Sequence, residues 1–447
     1  MDIEKVKRYS LAEVVLLGIF VIGLIIANVI VRNRSRIVLS EPIVLTGSGL
    51  SVSMPANPGW ERTDVWRYEM DNSMTLIGRF RSRDADIEVR WRYNLHPPEV
   101  LPDKLLQRRA AEANSALQEI EYLNEPVKMA FTALSGVSSL NSSAYMGATI
   151  LDFGRSLELQ VVSRTMDDYY AEHIFRSLAA GIQYKKPAAL NEGLALLESF
   201  LMALGQKSNP IQPEAFLIRD ELGRNLGYFR CYENNQKLHQ MRVWQYENRG
   251  VRYESSLWLN PSEKNYLWKT ILKYPGMTAP KTYDIRADGA GKLQVECNIE
   301  KPKISAASFF ILPEILLPEY AAVLLDSTYN DVMVDVLAPT GQVVPVHVEK
   351  IQKEQATAKS QNAAFVVRLD FLHHPNSFEE LFFDPEGRLI GKFEQQPRQR
   401  GRIWIAATLQ QIESIFGEDF PMPQDQIATV NKLINLDSGM ILKRRVK

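Results

Sequence analysis

"FLIRDELGRNLGYFRCYENNQKLHQMRVWQYENRGVRYESSLWLNPSEKNYLWKTILKY", residues 216–274, decides the fold of the larger half of this chain. Short runs rich in aromatic and β-branched residues are cut by turn signals at Glu221–Arg224, Asn234–Gln236, Asn248–Gly250 and Asn260–Lys264. Strands broken by turns about every ten residues predict a meandering antiparallel sheet or barrel. The pattern continues. "TYDIRADGAGKLQVECNI" reads as a hairpin around Asp288–Gly291. "NDVMVDVLAPTGQVVPVHVEKI", "AAFVVRLDFLHH" and "FEELFFDPEGRLIGKFEQ" supply further strands, with turns at Pro339–Gly341 and Asp384–Gly387. Proline, aspartate and glycine suit those turns because they supply fixed or positive φ and local side-chain hydrogen bonds.

One insertion breaks the β pattern, "SFFILPEILLPEYAAVLLDSTYN". Pro318 suits a helix start, and Tyr320 to Leu325 is apolar on every face, which predicts a short buried helix. A long antiparallel sheet with an embedded "LPEILLPEYAAVLLD" segment, and phrases such as "FFDPEGRLIGKFE", resembles the lipoprotein-localisation-factor (outer-membrane lipoprotein-sorting) superfamily over about residues 216–417. The resemblance implies a half-barrel enclosing an apolar cavity, with an acyl chain or the lipid part of a lipoprotein as ligand. On that reading Trp244, Tyr246, Trp258, Trp268, Tyr274, Leu317, Tyr320 and Leu324 are the candidate cavity residues. Ordinary core and hairpin pairing is the alternative for the aromatic residues.

The first half alternates differently. In "MTLIGRFRSRDADIEVRWRYNL", Ile87, Val89, Trp91 and Tyr93 point one way, and Glu88, Arg90 and Arg92 the other. This is the pattern of a hairpin with one solvated side. Arg79, Arg81, Arg83, Arg90 and Arg92 form a candidate anionic-surface site, since guanidinium groups pair bidentately with phosphate or carboxylate. A solvated face offset by Asp84, Asp86 and Glu88 is the competing reading. Pro102 and Asp103 open a helix in "HPPEVLPDKLLQRRAAEANSALQEI". Strand-like runs come next, and "MDDYYAEHIFRSLAAGI" closes the domain as a helix. The strand leading into "MPANPGW", the central hairpin and the closing "HIFRSL" helix together resemble the PsbP-like superfamily over about residues 43–185. That resemblance implies an α/β/α sandwich serving binding or assembly, without catalysis.

Between the halves, Leu190, Leu194, Leu197, Leu201 and Leu204 recur at spacings of four, three, four and three. They place one leucine seam on one helix face. Packing on a neighbouring domain and contact with a protein partner or a second copy are both open.

"LAEVVLLGIFVIGLIIANVIVRNRSR", residues 11–36, reads as an uncleaved signal anchor. Leu11 to Val31 is long enough for a hydrocarbon core of about 30 Å, and no small-residue cleavage site adjoins it. Lys5, Lys7 and Arg8 balance Arg32, Arg34 and Arg36, so the basic flanks do not fix orientation. A lone N-terminal span favours export of the domains C-terminal to it. The expectation is therefore a bacterial single-pass inner (cytoplasmic) membrane protein with extracytoplasmic, periplasmic domains in the cell envelope. The reverse topology is the alternative.

The expected fold class is α+β. It comprises an N-terminal tail (1–10), a single transmembrane helix (11–31), an α/β/α sandwich-like domain with an antiparallel sheet (37–185) and a linker with the Leu-seam helix (186–213). A β-rich curved-sheet, half-barrel-like domain with an embedded short helix (214–420) and a basic tail (421–447) complete it.

The formal net charge of −1 recruits no nucleic acid. Cys231 and Cys297, far apart in sequence, have no zinc-site spacing; core-facing thiols or a disulfide are both open. Among the six histidines only His373 and His374 cluster, with Glu379 and Glu380 in "FLHHPNSFEEL" and beside a turn, which does not predict a metal site. No nucleophile elbow appears, and "TGSGL" at Thr46–Leu50 leads into no lysine or helix. No catalytic residue, cofactor or metal is expected. The expected function is a non-enzymatic, membrane-anchored envelope protein that binds or presents lipid, lipoprotein or an anionic envelope component. A structural or assembly subunit of a membrane-bound complex is the alternative.

Overall fold

The computed structural model describes residues 15–23 and 37–417, apart from 70–72, 83–85, 96–100, 136–142, 153–154, 165–167, 205–210, 236–237, 249, 290–291, 300–302, 307–309, 359–361, 374–376 and 397–399. Among these residues the chain is mostly β, in sheets of three, nine and fifteen strands. This corrects the α+β expectation. The two meanders of the second half, each legible as a set of hairpins, fuse into one sheet through pairing of Ala215–Asp220 with Arg402–Ala407.

The expected transmembrane helix over 11–31 is also corrected. Among the described residues no helix is long and apolar enough to cross a membrane. Residues 15–23 are helical, but at 1.5 Å per residue they span roughly 14 Å, about half a hydrocarbon core. Residues 11–14 and 24–31 of the expected span lie outside the described residues. The signal anchor, the integral single-span membrane contact and the inner-membrane, periplasmic placement all rested on that span and are set aside with it.

In the first half, Ser73–Arg81 pairs with Asp86–Asn94, which pairs with Ser156–Ser163 and then Ser143–Ile150. The alternation in "DIEVRWRYN" buries Ile87, Val89, Trp91 and Tyr93. Those side chains meet Ile174, Phe175 and Leu178 of a helix over Asp168–Ala180. A second helix, α1 (Pro102–Glu112), carries Pro102 in its first turn and buries Leu105, Leu106 and Ala110 in a separate cluster with Ala130 and Met146. We number the Asp168–Ala180 helix α2.

The leucine-seam helix, α3, runs Ala188–Leu204. Its seam is spent inside the chain. Leu190, Leu197, Leu201 and Leu204 are buried, and Leu194 packs against the same core as Trp268 and Tyr320. Contact through this seam with a partner helix is therefore corrected: the residues that would make it are core residues. Gly193 explains how close the helix comes. A Cβ there would lie 1.9 Å from the carbonyl oxygen of Met333, on the strand Asp331–Leu337.

The fifteen-stranded sheet has Lys303–Ala306 at one edge and Leu312–Pro313 at the other. Six residue steps separate those edges in the chain, at most about 21 Å of extended backbone, so the sheet must curl back on itself. Contacts across the concave side agree: Thr270 Oγ1 donates to the Pro339 carbonyl at 2.8 Å. The short helix expected near Tyr320 is α4 (Leu317–Asp326). It lies in the concavity beside α3, with Tyr320 fully buried, 5.7 Å from Phe200 ring to ring, and donating to the Gly193 carbonyl at 3.1 Å. A last helix, α5 (Leu409–Phe416), is started by a Thr408–Gln411 capping box and covers Leu217 and Tyr228 on the convex face.

Candidate functional site

α3 and α4 fill one end of the concavity. At the other end the sheet and the approach to α4 line an open-mouthed cavity of about 490 Å³. Its apolar wall includes Phe216, Phe229, Val243, Leu272 and Leu317. These positions follow from strand alternation: Phe229 faces the interior two residues from Cys231, and Val243 lies directly opposite Cys231 on the next strand.

The polar wall comes from a different hairpin. Phe378–Phe383 and Leu389–Gln395 turn at Asp384–Gly387, and their register sets Glu379 directly opposite Glu394 and Leu381 opposite Lys392. The next strand sets Trp404 opposite Lys392 and Arg402 opposite Glu394. Glu379, Lys392, Glu394, Arg402 and Trp404 thus share one face and line the cavity. Glu314, in the turn Glu314–Leu316 leading into α4, faces them from the other side of the same cavity.

Two carboxylates directly opposite on adjacent strands repel. Lys392 offsets part of that repulsion. Its Nζ donates to Glu379 Oε1 at 3.1 Å and sits 3.8 Å from the centre of the Trp404 ring. Burial pulls the lysine pKa down, but Glu379 and Glu394 outweigh it and hold the ammonium above its ordinary range. Arg402 is engaged elsewhere, donating to Glu247 at 2.8 Å, and Gln245 donates to the same carboxylate oxygen at 2.8 Å. Glu314 is the outlier. Burial, reinforced by Glu379, pushes its pKa up to about 8. Burial also raises the Glu379 carboxyl, against the pull of Lys392. Tyr253 and Tyr274 complete the mouth, and burial together with the nearby Glu314 raises both phenols.

Of the residues expected to line an apolar cavity, Tyr274 and Leu317 do so. Trp268, Tyr320 and Leu324 are fully buried in the core beside it. Trp268 donates its indole N–H to Ser255 Oγ at 2.6 Å. Trp244, Tyr246 and Trp258 are corrected: strand parity puts them on the convex face. Trp244 lies beneath the guanidinium groups of Arg230 and Arg242, 5.8 and 4.9 Å away. Tyr246 stacks on Tyr228 at 5.3 Å. Trp258 is half-buried opposite Gln240 and Leu267.

The arginine face is largely internally paired. Arg79 and Arg90 each meet Glu88 at 2.9 Å, and Arg81 meets Asp86 at 4.0 Å. Arg92 is half-buried, opposite Thr75 and Glu158 on its two neighbouring strands. Arg83 lies outside the described residues. Cys231 and Cys297 are free thiols, the former buried. Among the described residues no group of three or more His, Cys, Asp or Glu side chains is placed to hold a metal ion; His374 lies outside them.

Sequence reasoning met Glu379 only as a neighbour of the His373–His374 pair, and passed over Glu314, Lys392 and Glu394. The alternation that carries Leu381 and Phe383 inward was a signal for Glu379 alone. A plain count outward from the Asp384–Gly387 turn sets it opposite Phe393, and only the bulge between Phe382 and Phe383 brings it opposite Glu394. Glu314 had no such signal, because its place depends on where α4 docks.

No family model matches the chain, and no curated protein matches it. Among solved structures, a β-barrel-like protein of domain of unknown function DUF1849 from Brucella abortus is similar to it. The identity is 9% and the TM-score 0.34, with 43% of this chain and 93% of that one covered. A likeness at that level carries no argument about what this chain does.

Proposed function

We propose that this chain is a binding protein rather than an enzyme, and that it holds a small amphipathic molecule in the cavity between the concave sheet and α4. The observation that carries the reading is the cavity itself. At about 490 Å³ it falls within the roughly 300–1,000 Å³ of small-molecule sites. One wall is apolar, and ionisable groups converge on the other. An acyl-like body suits the Phe216, Phe229 and Leu272 side, in keeping with the lipid-handling resemblance of the sequence. The Glu379–Lys392–Glu394 side requires a polar end on the ligand, which a purely hydrocarbon guest lacks.

The test is saturable binding of a neutral solvatochromic dye such as Nile red to the full chain, monitored by fluorescence. Val251, at the start of the Val251–Asn260 strand, lines the cavity and is half-buried. Val251→Trp should abolish most of the dye response while leaving the thermal unfolding transition in place. Dye binding that is equally strong in this variant places the guest elsewhere and removes the proposal.

A further inference from the structure

The polar end of the cavity has more carboxylates than cations. Glu247, Glu314, Glu379 and Glu394 line it with Arg252, Lys392 and Arg402; Arg402 is paired with Glu247 and Arg252 with Glu254, which leaves three carboxylates facing one ammonium. Lys392 satisfies one oxygen of Glu379, and Gln396 donates to one oxygen of Glu394. The Glu314 carboxyl lines the cavity, is half-buried and accepts no hydrogen bond from any described residue. A carboxylate that gives up part of its hydration without gaining a partner costs stability. A second cost lies in the direct cross-strand pairing of Glu379 with Glu394. Both costs fall in one cavity, and both are relieved by a positive group entering it.

A metal ion does not fit that description. Hard cations need several oxygens converging within about 2.6 Å, and the described acidic residues offer no such convergence. An organic cation has a larger head and looser demands. Tyr253, Tyr274 and Phe229 line the cavity, and aromatic side chains are suited to an ammonium and its first methylenes.

We propose that the cavity selects an organic cation, an alkylammonium head carried on a short apolar body, with Glu314 and Glu394 accepting from the head and the Phe216–Phe229–Leu272 wall taking the body. This rests on the cavity being the binding site. It adds the sign of the ligand's charge.

The experiment compares three probes with one chain length and different heads, namely octylammonium, octanol and octanoate. Each is titrated calorimetrically into the full chain at pH 8.5, below its aggregation concentration. Octylammonium should bind at least about tenfold more tightly than octanoate, as expected for a charge-assisted hydrogen bond against a like-charge contact. Glu314→Gln and Glu394→Gln, made separately so that one misfolded variant does not decide the matter, should each weaken octylammonium about tenfold and leave octanol unchanged. Octanoate binding as well as or better than octylammonium, with all probes still blocked by Val251→Trp, overturns the charge selection and leaves the cavity reading standing. So does an octylammonium affinity unmoved by both glutamine variants. Failure of all three probes to bind, or binding indifferent to Val251→Trp, overturns both.

Discussion

Arg155 Nη2 donates to both carboxylate oxygens of Asp335, at 2.8 Å each, across 180 positions of sequence. Both side chains are almost wholly removed from solvent. Arg155 lies just beyond the turn after the Ser143–Ile150 strand, and Asp335 is on the Asp331–Leu337 strand of the fifteen-stranded sheet. The pair therefore ties the two large sheets together, near a second tie in which Tyr68 donates to the Val343 carbonyl at 2.9 Å.

Breaking that pair on one side strands a buried charge. Asp335→Ala should lower the free energy of unfolding by about 3–5 kcal/mol, measured by urea denaturation, whereas Arg155→Met with Asp335→Leu should recover much of the loss. A single substitution costing under about 1 kcal/mol would show that the pair is solvated and worth no more than a surface bridge.

Gly193 sets a test with a definite sign. By helix propensity alone, Gly193→Ala would stabilise α3 by about 1 kcal/mol. The 1.9 Å approach of its would-be Cβ to the Met333 carbonyl predicts the reverse. A loss of about 1–3 kcal/mol is expected from overpacking, seen as a lowered Tm. A raised Tm would mean that α3 does not press on this strand.

Glu314 should give stability a slope in pH. The folded chain keeps this proton up to about pH 8, while an unfolded glutamic acid releases it near its ordinary value of 4.5. Between those values the folded state binds more protons, so stability falls as pH rises through the window. Glu247, Arg252, Tyr253, Tyr274, Glu379, Lys392, Glu394 and Arg402 face the same cavity. Urea midpoints at pH 5, 6, 7 and 8 should decline in the native chain and decline less in Glu314→Gln. Parallel curves for the two proteins would place the carboxyl in contact with bulk water.

His239 should act at the acid end. It is buried beside Glu233, opposite Asn235 in the last pair of the ladder joining Asn225–Asn235 to His239–Glu247, and burial lowers its pKa to about 4. The unfolded chain takes up the proton near 6.5, so the stability owed to the neutral ring is present above that pH and is lost as pH falls toward 4. His239→Phe should shallow the loss between those values, whatever its offset in absolute stability. An unchanged acid limb would assign the slope to other groups.

Local chemistry alone carried a good deal of this protein. Turn residues at Asp384–Gly387 and Pro339–Gly341, the alternation in "DIEVRWRYN" and the proline that opens α1 are consequences of φ preferences and of the two-residue period of a strand. Each is written within a few neighbouring residues. What local pattern could not settle was partner choice. A run of apolar residues over 11–31 reads as a span from composition, yet the described part of it is too short a helix to cross a bilayer. A strand's period says that Trp244 and Val243 face opposite ways but not which way is inward. That depended on which face α3 and α4 cover, and the answer sent Trp244, Tyr246 and Trp258 outward. The leucine seam had the same ambiguity, since one apolar stripe suits a partner chain or the chain's own sheet equally well. Gly193 resolves it only once Met333 is known to lie against it. The candidate site is the extreme case. Glu379 and Glu394 meet across one hairpin, but Glu314 reaches them only through sheet curvature and helix docking, and both are long-range consequences of burying one shared core.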